Sequence, residues 1–392
     1  LLFLNRTKKT RFRFAKKNWF LLVFVLIALI SVFVSSATKI SIFRWLKLIE
    51  FIILYIYLRK SKEFLGLNSV LSVIFYSGVF QAVLAIVQFI KQGSIGIKFI
   101  EAGVFDPNSS GVANFILGGD RILRSYGSFP HPNVLAGFLL LAIFCGYEIY
   151  IRRSNLRREV RSLTLLFFVV CFLVIIMGLF LTFSRTAITV FGAISLLMFL
   201  IEFFKLRKLE HTEQRLKDGK NLIKLFVLVL VSCLLVVAVL FPYIKARFFT
   251  ISLQEQAVDL RFFYNEMAVQ MIKEKPVLGI GIGNFVHYSQ NYPVFMRAAT
   301  KIAGENQNEI PDWIYQPVHN IYLLIASEIG ILGLLMLLGF VAIILFKGNL
   351  IFVSLFFCFL IISLTDHYFW TLQQGAIMFW LGLALIFPKK IK

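Results

Sequence analysis

Long apolar segments alternate with short polar ones along most of the chain. The apolar runs are nearly uncharged, and each spans about 18 residues or more, which is enough for a helix to cross roughly 30 Å of hydrocarbon. The pattern predicts about ten membrane helices near residues 19–37, 41–58, 67–90, 133–151, 162–182, 186–204, 222–241, 319–345, 350–366 and 369–387. We therefore expect an all-α, polytopic transmembrane bundle that forms a single integral membrane domain over residues 1–392.

The first apolar run could pass for a signal peptide because it follows a basic stretch. No small-residue cleavage site leads from it into a soluble domain, so we expect it to be a retained helix. The chain begins at Leu1 rather than Met, which leaves open a further stretch upstream with one or two more helices.

Two polar segments are too long to be simple turns. They cover residues 91–132 and 242–318, and loops of this length usually carry function. Within the larger segment, residues 254–273 alternate apolar and charged side chains at helical spacing, with Phe262 and Met267 on the expected apolar face. This predicts an amphipathic helix at the membrane interface.

Composition excludes a soluble fold. Hydrophobic residues make up 59% of the chain and mean hydropathy is +0.82, whereas soluble domains contain roughly 45–50% apolar residues. The net charge of +21 would suggest nucleic acid in a soluble protein. Here the basic residues occupy every second junction between predicted spans, as the positive-inside rule requires with both termini in the cytoplasm. We expect contact with membrane lipids and no nucleic acid, and the two long segments then lie outside.

The four cysteines have no metal-ligand or C-x-x-C spacing and lie inside apolar runs, so they indicate packing. The chain has no outward D-x-D motif or His, Asp and Glu cluster, so a metal-bridged diphosphate is not indicated. The glycine-rich segment 279–283 has no βαβ context and is interpreted as a tight turn rather than a dinucleotide loop. No metal and no cofactor are expected.

Two arginines are candidates for holding an anion. Arg185 lies between two predicted spans, and its planar guanidinium would match phosphate oxygens. A snorkelling interface anchor is the alternative. Arg261 lies on the predicted amphipathic helix, where a solvated charge or a salt bridge with Asp259 or Glu255 is the alternative.

His319 stands at the start of the eighth predicted span, and histidine is well suited to accept a proton from a hydroxyl. A hydrogen-bonded structural role is the alternative. His131 lies between two prolines at the start of the fourth span and is expected to position other groups. Glu328 lies about 14 Å further along the helix from His319 and needs a partner, in either a structural or a functional role. Asp366 and His367 could support the site.

An ordered set of motifs resembles the O-antigen ligase and polymerase superfamily over roughly residues 120 to 335. The motifs are Tyr-Gly-Ser-Phe-Pro-His-Pro-Asn at 126–133, Leu-Thr-Phe-Ser-Arg-Thr at 181–186, Pro-Val-Leu-Gly-Ile-Gly-Ile-Gly-Asn-Phe at 276–285, His-Asn-Ile-Tyr-Leu at 319–323 and Glu-Ile-Gly at 328–330. The chain departs from this family in its helix count, because relatives often have about twelve helices.

The resemblance implies a metal-independent, inverting transferase in the bacterial plasma membrane. Such an enzyme moves a glycan from a polyprenyl diphosphate, such as undecaprenyl diphosphate, to a hydroxyl of a glycan, lipid or protein acceptor at the outer face. It assigns the diphosphate to Arg185 and Arg261 and the catalytic base to His319. The supporting residues would be Arg124, His131, Asn133, Ser184, Tyr264, Asn320 and Glu328.

Two other classes stay open. A transporter or flippase of a lipid-linked sugar would show internal repeats and midplane charges, whereas these candidates cluster at one face. A non-catalytic scaffold in a glycan assembly complex would tolerate loss of both arginines.

Overall fold

The computed structural model describes residues 19–97, 99–153, 161–207, 213–249, 256–303 and 314–386. The basic stretches predicted at 6–17 and 389–392 lie outside these ranges. Within them the chain forms fourteen helices and one β-hairpin. The elements are α1 Trp19–Phe33, α2 Thr38–Leu65, α3 Leu67–Lys91, β1 Asn114–Leu117, β2 Asp120–Leu123, α4 Pro132–Arg153, α5 Arg161–Leu181, α6 Arg185–Arg207, α7 Glu213–Phe249, α8 Gln256–Glu274, α9 Phe285–Ser289, α10 Pro293–Ala303, α11 Ile321–Leu345, α12 Leu350–Ile362, α13 Tyr368–Thr371 and α14 Gln373–Leu385.

The fold is mostly helical, as predicted, and each of the ten predicted spans contains helix. Five helices are long and apolar enough to cross a membrane, and three further apolar helices are shorter. The long ones are Leu67–Lys91, Pro132–Arg152, Arg185–Arg207, Gly219–Phe249 and Ile321–Leu345. The apolar helices support a multi-pass membrane protein, and the count of ten spans stays a prediction.

Helix α4 lies at the centre of the packed helices. It contacts α3, α5 and α12, and the side chains of about two turns, from Leu139 to Cys145, are completely buried. Helix α11 packs against α1, α12 against α6, and α14 against α2. These contacts bring the start of α4, the start of α6 and the connection between α12 and α13 together.

The segment between α3 and α4 contains a β-hairpin that the all-α prediction did not include. Strands β1 and β2 are antiparallel and are joined by Gly118 and Gly119, whose φ angles are 62° and 99°. A two-residue turn with positive φ at both positions matches the twist of a hairpin. Each strand has four residues, too short for an alternating pattern to stand out in the sequence. The hairpin ends at Leu123, so Arg124 emerges directly from it.

Helix α11 is broken at Gly330, whose φ of 87° and ψ of 165° are not helical. The break leaves backbone groups without helical partners, and the glycine-rich segment 276–284 pairs with them. Ile280 N donates to Ser327 O at 2.9 Å, and Ile331 N donates to Pro276 O at 2.8 Å. The segment is therefore packed into the side of the helix.

The glycines of this segment are needed for its shape. Gly279, Gly281 and Gly283 have φ angles of 66°, 104° and 74°, which side chains rarely adopt. A Cβ at Gly279 would also overlap the backbone of Glu328. The segment follows α8 directly and has no strand before it, so it is a tight turn rather than a nucleotide loop.

The predicted amphipathic helix is present as α8, and it packs against α10 and α11. Its buried face agrees with the expected one at Met267 and Met271 and differs at Phe262. Leu260, Tyr264, Met267 and Met271 are buried, whereas Phe262 is 68% exposed. The position of this helix at a membrane interface stays a prediction. Helix α7 continues through Pro242 to Phe249, two turns beyond the predicted end of that span.

Candidate active site

His319 is held at the start of α11 by a helix cap. The side-chain oxygen of Asn320 accepts hydrogen bonds from Tyr322 N and Leu323 N at 3.0 and 3.1 Å. Ile321 N donates to Ser363 O at 2.8 Å, which ties this helix start to the end of α12. Asn320 thus acts as an N-cap and fixes the backbone next to the histidine.

Two aromatic rings flank the His319 imidazole. The ring of Tyr264 on α8 stacks on it with centroids 6.1 Å apart, and the ring of His367 meets it edge-on at 4.7 Å. The hydroxyl of Tyr264 donates to Ile314 O at 2.6 Å, so the ring is fixed in place. The imidazole therefore lies between α8 and the connection from α12 to α13.

The Nδ1 atom of His319 is buried and has no hydrogen-bond partner among the described residues. Leaving a buried polar atom unpaired costs about 1–3 kcal/mol, so such atoms are rare outside functional sites. This atom is free to receive a hydrogen bond from a bound molecule.

The electrostatic environment keeps His319 neutral. Burial, together with the nearby His367 and Arg261, lowers its pKa to about 3, although the carboxylate of Asp366 opposes them. At neutral pH the ring is therefore able to accept a proton. An anion bound beside it would raise this pKa.

A chain of hydrogen bonds connects three distant parts of the sequence next to the histidines. Arg124 donates through Nε to Thr182 O at 2.8 Å and through a terminal nitrogen to Asn133 Oδ1 at 2.6 Å. Asn133 Nδ2 donates to Asp366 Oδ2 at 2.7 Å. This chain holds the carboxylate of Asp366 close to the imidazoles, and the pKa of Asp366 is lowered because His367, His319 and His131 outweigh the effect of burial.

His131 is part of the same cluster. Its Nδ1 accepts a hydrogen bond from Asn133 N at 3.1 Å. Burial, together with the charge of Arg124, lowers its pKa to about 4, although the carboxylate of Asp366 opposes them. Burial and the charge of Arg247 lower the pKa of Arg124 to about 9, so this guanidinium remains charged at neutral pH.

Arg185 is the first residue of α6, directly after a tight turn from α5. The turn places Phe183 at a φ of 46°, which non-glycine residues seldom adopt, and buries Ser184. Arg185 Nε donates to Arg247 O at 2.9 Å, and its charge lowers the pKa of Arg124. It thus lies at the Arg124 end of the cluster.

Arg261 reaches the cluster from α8, where it is exposed. Its charge lowers the pKa of His319, His131 and His367, so it acts electrostatically on all three. The charge of Arg261 therefore acts on the imidazoles themselves, whereas that of Arg185 acts on Arg124.

Glu328 lies on another side of His367. Its carboxylate accepts hydrogen bonds from Trp370 Nε1 at 3.2 Å and from Phe285 N at 3.4 Å, and it is 3% exposed. Together with His367 and Arg44 it lines a cavity of about 380 Å³ between α2, the glycine-rich segment and α14. We call this the α2–α14 cavity.

Sequence reasoning did not identify Arg44, Arg247 or the role of Trp370 in this region. Arg44 lies inside a predicted span, and a charge in such a position was the available signal. Arg247 falls in the predicted outer segment 242–318, whereas in the structure it lies on α7. Within the described ranges, no group of three His, Cys, Asp or Glu side chains is arranged to hold a metal ion.

These observations define a helical membrane protein with a cationic site that contains several histidines. Residues 169–338 match the family model described as O-antigen ligase. The match confirms the resemblance to the O-antigen ligase and polymerase superfamily and supports glycan transfer of that type by a glycosyltransferase-like enzyme. It includes Arg185, Arg261, His319 and Glu328. No curated protein matches the chain.

Proposed function

We propose that this protein transfers a glycan from a polyprenyl diphosphate carrier to an acceptor hydroxyl at the outer face of the bacterial plasma membrane. His319 serves as the base, and Arg185 and Arg261 bind the diphosphate. The observation that carries the proposal is the buried Nδ1 of His319, which has no partner among the described residues and lies close to the charge of Arg261.

The charges of the site suit a diphosphate leaving group. Positive charge outweighs negative charge in this region. Asp366 supplies one carboxylate, and four arginines supply guanidinium groups, namely Arg124, Arg185, Arg247 and Arg261. Fixed cations in a partly dry site stabilise developing negative charge more strongly than water does. The guanidinium groups of these arginines would therefore stabilise the negative charge of the departing diphosphate.

The proposed step is a single displacement at the anomeric carbon. The acceptor hydroxyl gives its proton to His319 while its oxygen forms the new bond to that carbon. The bond from carbon to diphosphate oxygen breaks on the opposite face, and the diphosphate leaves with the electron pair, so the configuration inverts. The bound diphosphate raises the pKa of His319 from about 3, which makes the ring a stronger base when the donor is present.

The base assignment is tested by His319→Ala in purified, membrane-reconstituted protein that receives donor lipid and acceptor. We expect transfer to fall by about a hundred- to ten-thousand-fold, because general base catalysis contributes that much. His287→Ala is the matched control, since His287 is an exposed histidine on α9. Wild-type product formation by His319→Ala would remove the assignment.

One observation favours a second candidate, a transporter of lipid-linked sugars. Interrupted membrane helices such as α11 often build transport sites near the bilayer midplane. The same purified system separates the two functions, because a transporter forms no covalent bond between glycan and acceptor. Mass spectrometry of the products would show the new glycosidic bond for a transferase and unchanged donor for a transporter.

A further inference from the structure

The α2–α14 cavity lies beside the candidate active site and has the size of a small-molecule pocket. Its volume of about 380 Å³ falls within the range of roughly 300–1,000 Å³ that is usual for such pockets. The lining combines aromatic side chains with charged ones, including Arg44, Lys47, Glu328, Tyr315 and Trp370. Such a lining suits a ligand with both flat apolar faces and polar groups, as a saccharide has.

Arg44 is the arginine that lines the cavity. It is half-buried on α2 and donates to Thr371 O at 2.8 Å. A Cβ at position 283 would overlap its side chain, so Gly283 leaves the space that Arg44 occupies. Its charge acts on Glu328 and on His367.

The position of these cations is not explained by membrane topology. Arg44 and Lys47 lie in the first turns of α2, which the predicted topology places at the outer side, where the positive-inside rule gives basic residues no role. Lys47 forms an exposed ion pair with Glu50 at 2.8 Å. The lining thus carries one carboxylate, that of Glu328, and two cations, of which Lys47 is shared with Glu50. Arg44 forms no ion pair with a described residue, so its charge is the one on the lining that favours an anionic group.

His367 connects the cavity with the proposed base. It lines the cavity, and its ring centroid is 4.7 Å from that of His319. Its Nδ1 shares a hydrogen bond of 2.6 Å with Thr371 Oγ1, which fixes the ring. A ligand in the cavity is thus adjacent to the His319 ring, on the side of Arg44 rather than that of Arg185.

We propose that the α2–α14 cavity binds the acceptor, as an anionic saccharide whose phosphate or carboxylate is held by Arg44 and Lys47. The acceptor hydroxyl then lies beside His367 and reaches His319, while the donor diphosphate is bound by Arg185 and Arg261. This inference rests on the proposed function and separates two anion sites within it.

The separation is tested by protecting arginines from phenylglyoxal in the full-length, nanodisc-embedded protein and mapping the modified peptides. We expect glucose 1-phosphate and glucuronic acid to protect Arg44 but not Arg185, and farnesyl diphosphate to protect Arg185 but not Arg44. Neutral glucose should protect Arg44 less than either anion. Protection of Arg44 by farnesyl diphosphate alone would overturn the proposal, because the cavity would then belong to the donor.

Variants of Arg44 test the same site by binding. Arg44→Gln should weaken glucose 1-phosphate binding by about tenfold or more, and Arg44→Lys should restore part of it. The change is followed by fluorescence, since Trp370 and Trp380 line the cavity. Unchanged binding in Arg44→Gln would contradict the proposal.

Arg59→Gln is the matched control. Arg59 lies on the same helix, and it also donates from a terminal nitrogen to a backbone carbonyl, that of Ile386, at 3.0 Å. A loss caused only by weaker attachment of α2 would appear in both variants, whereas a loss of anion binding would appear only at Arg44.

Kinetics separate a failure of this proposal from a failure of the proposed function. Arg44→Gln should raise the acceptor KM by about tenfold and leave the donor KM unchanged. An inactive His319→Ala together with an unchanged acceptor KM in Arg44→Gln would overturn the cavity assignment alone. An active His319→Ala with cavity binding lost in Arg44→Gln would remove the base and keep the cavity as a saccharide site.

Discussion

Arg185 and Arg261 approach the candidate site from two different helices, α6 and α8. Arg185 is anchored by its hydrogen bond to Arg247 O and stands next to Arg124, whereas Arg261 is exposed and acts on the histidines. Two guanidinium groups on separate helices suit the two phosphates of a diphosphate, because each can form paired hydrogen bonds to one of them.

Arg185→Gln and Arg261→Gln should each raise the donor KM by about ten- to a hundredfold, since each removes a charge-assisted contact worth about 1.5–3 kcal/mol. The measurement is transfer rate against donor concentration in nanodiscs. Arg297→Gln is the control, because Arg297 forms an exposed ion pair with Glu266 at 2.8 Å and is not part of the cluster. A scaffold protein would show no effect of either variant on product formation.

The buried histidines also predict how stability depends on pH. The folded-state pKa is about 4 for His131 and about 3 for His319, against about 6.5 in the unfolded chain. Between these values the unfolded chain binds more protons, so stability is complete above about pH 6.5 and falls as the pH decreases. Each histidine should cost about 1–2 kcal/mol between pH 7 and pH 5.

Melting temperatures in detergent at pH 7 and pH 5 measure this loss. His131→Asn should reduce the difference between the two temperatures, whereas His287→Ala, at an exposed position, should leave it as in the wild type. An equal loss in His131→Asn and wild type would show that His131 does not titrate in this way.

The individual candidate residues were predictable where a local pattern pointed to them. His319 and Arg185 lie in motifs, and Arg261 lies on the predicted amphipathic helix, so all three could be proposed from the sequence. The contact between Asn133 and Asp366 joins residues 233 positions apart, and no local pattern reports such a pairing. Asp366 and His367 could therefore be suggested as supporting residues, but their partners could not be predicted.

At the scale of single elements, the break in α11 links the fold to the site. Gly330 allows segment 276–284 to pair with the helix. Within that segment, Gly283 leaves room for the side chain of Arg44. The segment leads into Phe285, whose backbone N–H donates to Glu328. The shape of one side of the α2–α14 cavity thus depends on a single backbone conformation.

Gly330→Ala should destabilise the protein by about 2–4 kcal/mol, because alanine disfavours a φ of 87° and its Cβ would overlap the backbone of Val277. Gly192→Ala is the matched control. Gly192 lies within α6 with open space around its Cβ position, so alanine there should be neutral or stabilising by up to about 1 kcal/mol. Thermal unfolding in detergent compares the two, and equal melting temperatures would argue against a strained break.

The helices themselves could be predicted from periodicity and length, while their interruptions could not. Residues 319–345 are mostly apolar on both sides of Gly330, apart from Ser327 and Glu328, and the glycine alone does not reveal whether a helix continues through it. The seventh span is the opposite case, since the predicted span ends at residue 241 and α7 continues through Pro242. Tertiary packing decides both cases, because only a neighbouring segment can pair with the backbone that a break exposes.

At the scale of the whole molecule, the helix order gives the two ends of the bundle different chemistry. Helix α6 runs from Arg185 beside the cluster to Arg207 at its far end, and α4 starts at Pro132 beside His131 and ends at Arg153. Together with the β-hairpin, Arg185 and His131 belong to one end, and the basic ends of α4 and α6 belong to the other. With the basic ends in the cytoplasm, as the positive-inside rule predicts, we expect the cluster at the outer face.

Single cysteines labelled with a membrane-impermeant maleimide test this orientation. The four native cysteines are first replaced by Ala, namely Cys145, Cys171, Cys233 and Cys358. One cysteine is then introduced at Asn108 or at Arg207, which are both exposed and lie at opposite ends of the helix bundle. We expect Asn108→Cys to react in intact cells and Arg207→Cys to react only after permeabilisation. The reverse result would place the histidine cluster at the cytoplasmic face. A base and a diphosphate site there could not serve a donor presented outside, so the proposed function would fail even though every contact within the site remained.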